Sequence, residues 1–158
     1  MTNTLLPRRA ALAHGATVAG LLMGLGWLPS ARAQAAAFNR AAFDAKTLAD
    51  VLKALGAAAP AESKEVTLTA PDIAENGAVV PVAAATTIAG TKRLLLLVEK
   101  NPNTLAAAFD VSDAVDANFS TRVKMGQTSN VYAVALTADN RAFFAQKEVK
   151  VTLGGCGG

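Results

Sequence analysis

Apolar positions change their period once along this chain. Leu48, Val51, Leu52 and Leu55 fall at i, i+3, i+4 and i+7, the spacing of one helical face. Asp44, Lys46, Asp50 and Lys53 lie off that face. The pattern predicts a helix over 43–55. Gly56 is placed to end it, and Pro60 blocks its continuation, so 57–60 reads as a linker.

From residue 66 the period is two. Val66, Leu68 and Ala70 alternate with Thr67 and Thr69, which predicts a strand with one solvated face. Pro71 interrupts it, and Asn76-Gly77 marks a turn. A strand follows over 79–82, where Pro81 cannot donate a ladder hydrogen bond and so predicts an edge or a bulge. After a turn at 88–90, residues 94–98 are Leu-Leu-Leu-Leu-Val, bracketed by Lys92, Arg93, Glu99 and Lys100. Such a short continuous run predicts a strand buried on both faces. Residues 101–103 form a loop and 106–111 a strand. Phe119, Thr121, Val123 and Met125 alternate with Ser120, Arg122 and Lys124, a half-buried strand. Residues 126–130 turn the chain, and 131–137 form the next strand. Asp139-Asn140 makes a hairpin turn into a long strand or bent pair over 141–153. Phe143 and Phe144 then send one ring to each face, one into the core and the other toward an exposed surface. Seven or so short strands after one helix predict a mainly β chain, an immunoglobulin-like β-sandwich with an N-terminal helix and a flexible C-terminal tail.

The first 33 residues carry a different signal. Arg8-Arg9 precede an apolar run over 16–28, and Ala31-Arg32-Ala33 is a small-x-small cleavage site. This order predicts an export signal removed near Gln34. The run is too short to span a bilayer comfortably, so the processed chain is expected off the membrane. The arginine pair fits a twin-arginine address, and an ordinary secretory signal fits as well. Removing the segment alters the electrostatics. The chain has 15 Lys+Arg and 12 Asp+Glu. Arg8, Arg9 and Arg32 belong to the signal, which leaves 12 of each. The basic balance is therefore no argument for nucleic-acid binding. The signal also holds the only histidine, His14, and the only tryptophan, Trp27. The remainder divides into one domain over 34–153 and an arm over 154–158.

That arm is Gly154-Gly155-Cys156-Gly157-Gly158, and Cys156 is the only cysteine. Glycine pairs on both sides make an unobstructed tether. Each residue spans at most ~3.3–3.6 Å, so Gly154 and Gly155 alone give the thiol roughly 7 Å of swing. An unpaired cysteine in an exported chain predicts a reactive thiol or an intermolecular bond. A cysteine–histidine nucleophile is excluded once the signal is gone. Lys147 and Lys150 are the nearest cations in sequence, and the terminal carboxylate two residues on disfavours the thiolate slightly. The thiol thus reads as accessible and not self-activated, a residue that bears a substrate for other proteins. Asp110, Asp113 and Asp116 recur every three residues, which does not fit the calcium-loop spacing, so no metal site is expected. A terminal Gly-Gly activated as a thiocarboxylate needs ATP, which the export signal argues against.

Residues 149–158, Val-Lys-Val-Thr-Leu-Gly-Gly-Cys-Gly-Gly, closely resemble the C-terminus of the SoxY family, the sulfur-carrier subunits of the periplasmic thiosulfate-oxidising Sox system. Residues 71–77 followed by Val80-Pro81-Val82 look like the family's early strand region, and Asn101-Pro102 and Phe109 fit its middle. The resemblance implies an immunoglobulin-like fold, a periplasmic location and a heterodimer with a separate SoxZ-like chain. It implies that Cys156 bears thiosulfate as a cysteine S-thiosulfonate, on an arm whose joints are Gly154, Gly155, Gly157 and Gly158. A SoxAX-like cytochrome would conjugate the substrate, a SoxB-like hydrolase would release sulfate, and a SoxCD-like dehydrogenase would oxidise the remaining sulfur. The chain itself would then be a carrier and not an enzyme, with no cofactor beyond the covalently bound sulfur. Two other classes stay open: a secreted thiol enzyme, and a structural or adhesion sandwich that uses Cys156 for covalent dimerisation.

Overall fold

Thr47 breaks the predicted helix in two. The structure, a computed structural model, describes residues 39–152. In it α1 spans Arg40–Asp44 and α2 spans Leu48–Ala54. Thr47 is extended at φ −133° and ψ 156°, and its hydroxyl accepts the Asp50 N–H. A β-branched residue with a side-chain oxygen favours that N-cap role over a helix interior. The single helix expected over 43–55 is therefore corrected to two short ones. Its apolar face survives on α2, where Val51 and Leu52 are buried. Gly56, at φ 70°, ends α2 as expected: its N–H bonds Lys53 O, and the Ala57 N–H bonds Leu52 O.

Among the described residues nine strands follow. They are β1 (Pro60–Glu62), β2 (Val66–Thr69), β3 (Ile73–Ala74), β4 (Val80–Thr86), β5 (Thr91–Val98), β6 (Leu105–Asp110), β7 (Asn118–Val123), β8 (Ser129–Thr137) and β9 (Ala142–Val151). The larger sheet has the order β1-β9-β8-β5-β6, with β3 also pairing β9, and the smaller is β2-β4-β7. Most pairs are antiparallel, but β1 and β3 run parallel to β9 at its two ends. These two short strands were not expected: β1 begins at the last residue of the expected linker, and β3 lies between Pro71 and the Asn76-Gly77 turn. At two or three residues they are too short to show a period.

The double burial expected of 94–98 is borne out. Leu94, Leu96 and Val98 enter the core between the sheets, with Val80, Val82, Val123, Val131 and Val149. Leu95 and Leu97 enter a second core beneath the helices, with Val51, Leu52, Leu105, Val134 and Leu136. Helices, large sheet and small sheet thus make three layers. Phe109 and Phe119 stack with ring centroids 4.7 Å apart, bringing the β6 and β7 edges of the two sheets together. Phe143 and Phe144 do point to opposite faces, but both are half-buried. Phe144 lies against the second core, 6.0 Å from the Tyr132 ring, so the exposed ring expected here is not found. Pro81 occupies the middle strand of the small sheet, yet β2 pairs only with 83–86, so at Pro81 one side of β4 is locally an edge.

Candidate functional site

The arm over 154–158, with Cys156 and its four glycines, lies outside the described residues, as do Leu153 and the export segment 1–33. What the structure describes is the platform that the arm leaves. It is the far end of β9, where Lys150, Val151 and Thr152 meet the connection that runs from β2 through β3 into β4.

Three successive backbone N–H groups are bonded at this end. The Lys150 N–H donates to Asp72 O at 3.0 Å, and the Thr152 N–H to Ala74 O at 3.1 Å. Between them the Val151 N–H points to the opposite edge and donates to Thr128 Oγ1 at 3.0 Å. Asn76 organises the adjoining turn: its side-chain oxygen accepts the Ala78 N–H at 2.9 Å. Gly77 is required here for clearance, since its φ is not in the left-handed region. A Cβ at 77 would overlap the Met125 carbonyl oxygen and come within 2.9 Å of Val151 Cγ1. The Met125 N–H in turn bonds Gly77 O at 2.7 Å.

Two of the charges nearby are paired. Lys147 Nζ bonds Ala70 O at 2.7 Å and Asp72 Oδ1 at 2.9 Å. This hydrogen bond and the ammonium charge hold the Asp72 carboxyl below its ordinary value of 3.8, with a smaller contribution from Lys150. A depressed carboxyl contributes stability above its unfolded pKa and loses it as pH falls through the lower folded value. Asp72→Asn is therefore expected to lower stability slightly at neutral pH. That difference should shrink as pH falls below the ordinary carboxyl value and vanish once pH is below the lowered folded value, in urea unfolding compared at neutral and acid pH. A difference that persists unchanged in acid would show that the ion pair is not its source.

Beside this platform runs an apolar groove of about 270 Å³, lined by Pro71, Ile73, Val79 and Pro81 among others. Ile73 is 56% and Val79 49% exposed, so hydrophobic surface borders the root of the arm. Among the described residues of the platform no base is aligned with a nucleophile. Lys147 and Asp72 engage each other, and the groove walls are mainly apolar. The arrangement fixes the last described residues of β9, up to Thr152. Asp110 and Asp113, of the aspartates that recur every three residues, pair with Arg93 at 2.6 Å and Lys92 at 3.7 Å. Among the described residues no group of His, Cys, Asp and Glu is arranged to hold a metal ion, and no helix is long and apolar enough to cross a membrane.

The sequence reading found the Asn76-Gly77 turn and Lys147, but gave no role to Thr128 or Asp72. A lone threonine in a turn carries no signal of its partner.

Comparisons with known proteins place this geometry. The family whose model matches residues 51–156 is described as "Sulfur oxidation protein SoxY". Among solved structures, the sulfur carrier protein SoxY from Chlorobium limicola f thiosulfatophilum is 35% identical, with a TM-score of 0.61. The match covers 68% of this chain and 97% of that one. A superoxide reductase (neelaredoxin) from Ignicoccus hospitalis is 14% identical at a TM-score of 0.46, covering 55% of this chain and 80% of that one. Fibronectin(III)-like modules of Clostridium thermocellum CbhA are 17% identical at 0.45, covering 58% and 99%. No curated protein sequence matches.

Proposed function

The chain belongs to the SoxY family of sulfur oxidation proteins, and from that premise we propose that it carries its sulfur substrate covalently on Cys156, in the periplasm, and presents it to partner enzymes. The observation that carries this reading is that the family match runs through residue 156 and so takes in the chain's sole thiol. Support comes from the 35% identity to the sulfur carrier protein SoxY from Chlorobium limicola f thiosulfatophilum over 97% of that chain.

The chemistry assigns this chain a passive part. Conjugation joins the Cys156 sulfur to the sulfane sulfur of thiosulfate. One thiol proton and two electrons leave, the electrons to a SoxAX-like cytochrome. A SoxB-like hydrolase then adds water to the sulfonate group, releasing sulfate and leaving a persulfide on Cys156. A SoxCD-like dehydrogenase would oxidise that outer sulfur. At each step the enzyme supplies the catalytic groups, and this chain supplies an attachment atom and its reach. No resident cofactor is needed. A SoxZ-like chain is the standing partner, in keeping with the SoxYZ pairing of the family.

Intact mass measured on protein from thiosulfate-grown cells tests this. The chain is expected to begin at or near Gln34 and to carry added sulfur or sulfur-oxyanion groups, all on the C-terminal peptide and removed by reductant. A reductant-sensitive dimer of this chain with no such adduct would instead support the covalent structural module.

A further inference from the structure

The last strand pairs with its neighbour for longer than the backbone ladder allows. Ser129↔Val149 is the final register pair between β8 and β9. Beyond it the facing chain is in the turn over 126–128, so no ladder carbonyl stands opposite Val151. The Thr128 hydroxyl takes that place and accepts the Val151 N–H at 3.0 Å. Successive N–H groups of a strand point to opposite edges. Lys150 and Thr152 are therefore held on the β3 side by Asp72 O and Ala74 O, while Val151 is held on the β8 side by a side chain. Gly77 completes the fixation. Only a residue without Cβ lets the turn close on the Met125 backbone and on Val151 Cγ1 at once.

We infer that Thr128 and Gly77 are positioning residues that fix the last strand as far as Thr152, two residues short of the carrier arm, and so set how far Cys156 can travel. The functional half of this rests on the carrier reading; the structural half does not. From Thr152 to Cys156 is four residue steps, about 14 Å at full extension. Were the strand released back to Val149, the last residue paired in the ladder, the count would be seven steps and about 24 Å. Local concentration at the end of a tether falls roughly as the −3/2 power of its length, so this lengthening halves it or slightly more. The clamp thus matches a short reach to partners that must take the thiol into a pocket.

Thr128→Val keeps the shape and removes the acceptor, and Thr128→Ser restores it. In Cys156→Ser protein, which carries no sulfur, amide exchange at Val151 is expected to be about ten times faster with Thr128→Val, with exchange in β5 and β8 unchanged. Thr128→Ser should return it to the parent rate. Gly77→Ala is expected to speed exchange at both Val151 and Thr152. With Cys156 intact and preloaded with thiosulfate, the Gly77→Ala carrier, which loosens both Val151 and Thr152, should show about a twofold higher KM with the sulfate-releasing hydrolase, at unchanged kcat. Val151 exchange within a factor of two of the parent, or a serine variant that behaves like valine, overturns the clamp. Faster exchange with an unchanged KM overturns its positioning role. Failure of the carrier reading is separate: it shows as hydrolase turnover that does not need Cys156, and leaves the exchange result standing.

Discussion

Cys156→Ala is expected to abolish thiosulfate oxidation in a system reconstituted from the carrier, its SoxZ-like partner and the processing enzymes. The effect should be a complete loss and not a slowing, because the chain holds one cysteine and a covalent carrier without its attachment atom has no substitute. The adduct seen on wild-type protein should disappear as well. Thermal unfolding and gel filtration with the partner should stay unchanged, because residue 156 follows the end of β9 in sequence and the described residues build both cores without it. The isolated wild-type chain should show no turnover with thiosulfate, since a carrier needs the cytochrome to remove two electrons. Residual oxidation by the alanine variant, or adducts elsewhere, would overturn the assignment of Cys156. A variant that unfolds would instead show that the C-terminal segment supports the fold.

Leu52→Ala is expected to lower stability far more than Asp72→Asn or Thr128→Val. Leu52 is 2% exposed and packs, with Val51 and Ala42, against Leu95, Leu97, Val134 and Leu136. Removing its side chain leaves a cavity between a helix and a sheet, two elements that cannot easily close on each other. Such truncations cost ~2–5 kcal/mol, a large part of the roughly 5–15 kcal/mol that holds a domain folded. Urea unfolding should show it as a lower midpoint at unchanged slope. Lys53→Ala, one residue on and exposed, is the control and should stay within about 0.5 kcal/mol. A loss at Leu52 no larger than at Lys53 would mean that the helices are not part of the cooperative unit.

Both expectations trace to positions that are legible in the sequence. A sole cysteine between glycine pairs is legible because its chemistry does not depend on a neighbour in space. The Leu48, Val51, Leu52, Leu55 face and the Leu94–Val98 run are legible because burial on one face or on two leaves a period in the sequence. From these the mainly β sandwich, the buried central strand and the alternating face of β7 could all be stated. The sites of the turns at Gly56, Gly90 and Asn140 could be read too; in the structure all three take positive φ.

What the sequence left open is what depends on a partner far along the chain. Thr47 has helical residues on both sides, and only the Asp50 N–H that its hydroxyl captures decides that one helix becomes two. β1 and β3 exist because β9 offers them an edge, and at two or three residues they carry no period. Phe144 is covered because Tyr132 and the helices lie over it, which alternation along β9 cannot reveal. The sharpest case is the root of the arm. Thr128 and Val151 are 23 residues apart, and Asp72 and Lys147 are farther apart still. A threonine in a turn and an aspartate after a proline are ordinary residues until the sandwich brings them beside the last strand. The sequence by itself determined the sole thiol, the proposed attachment atom, and the hydrophobic layers, because each follows from local residue identity and spacing. Only the tertiary structure decided where the arm is held, because hydrogen bonds between distant segments leave no trace in either segment alone.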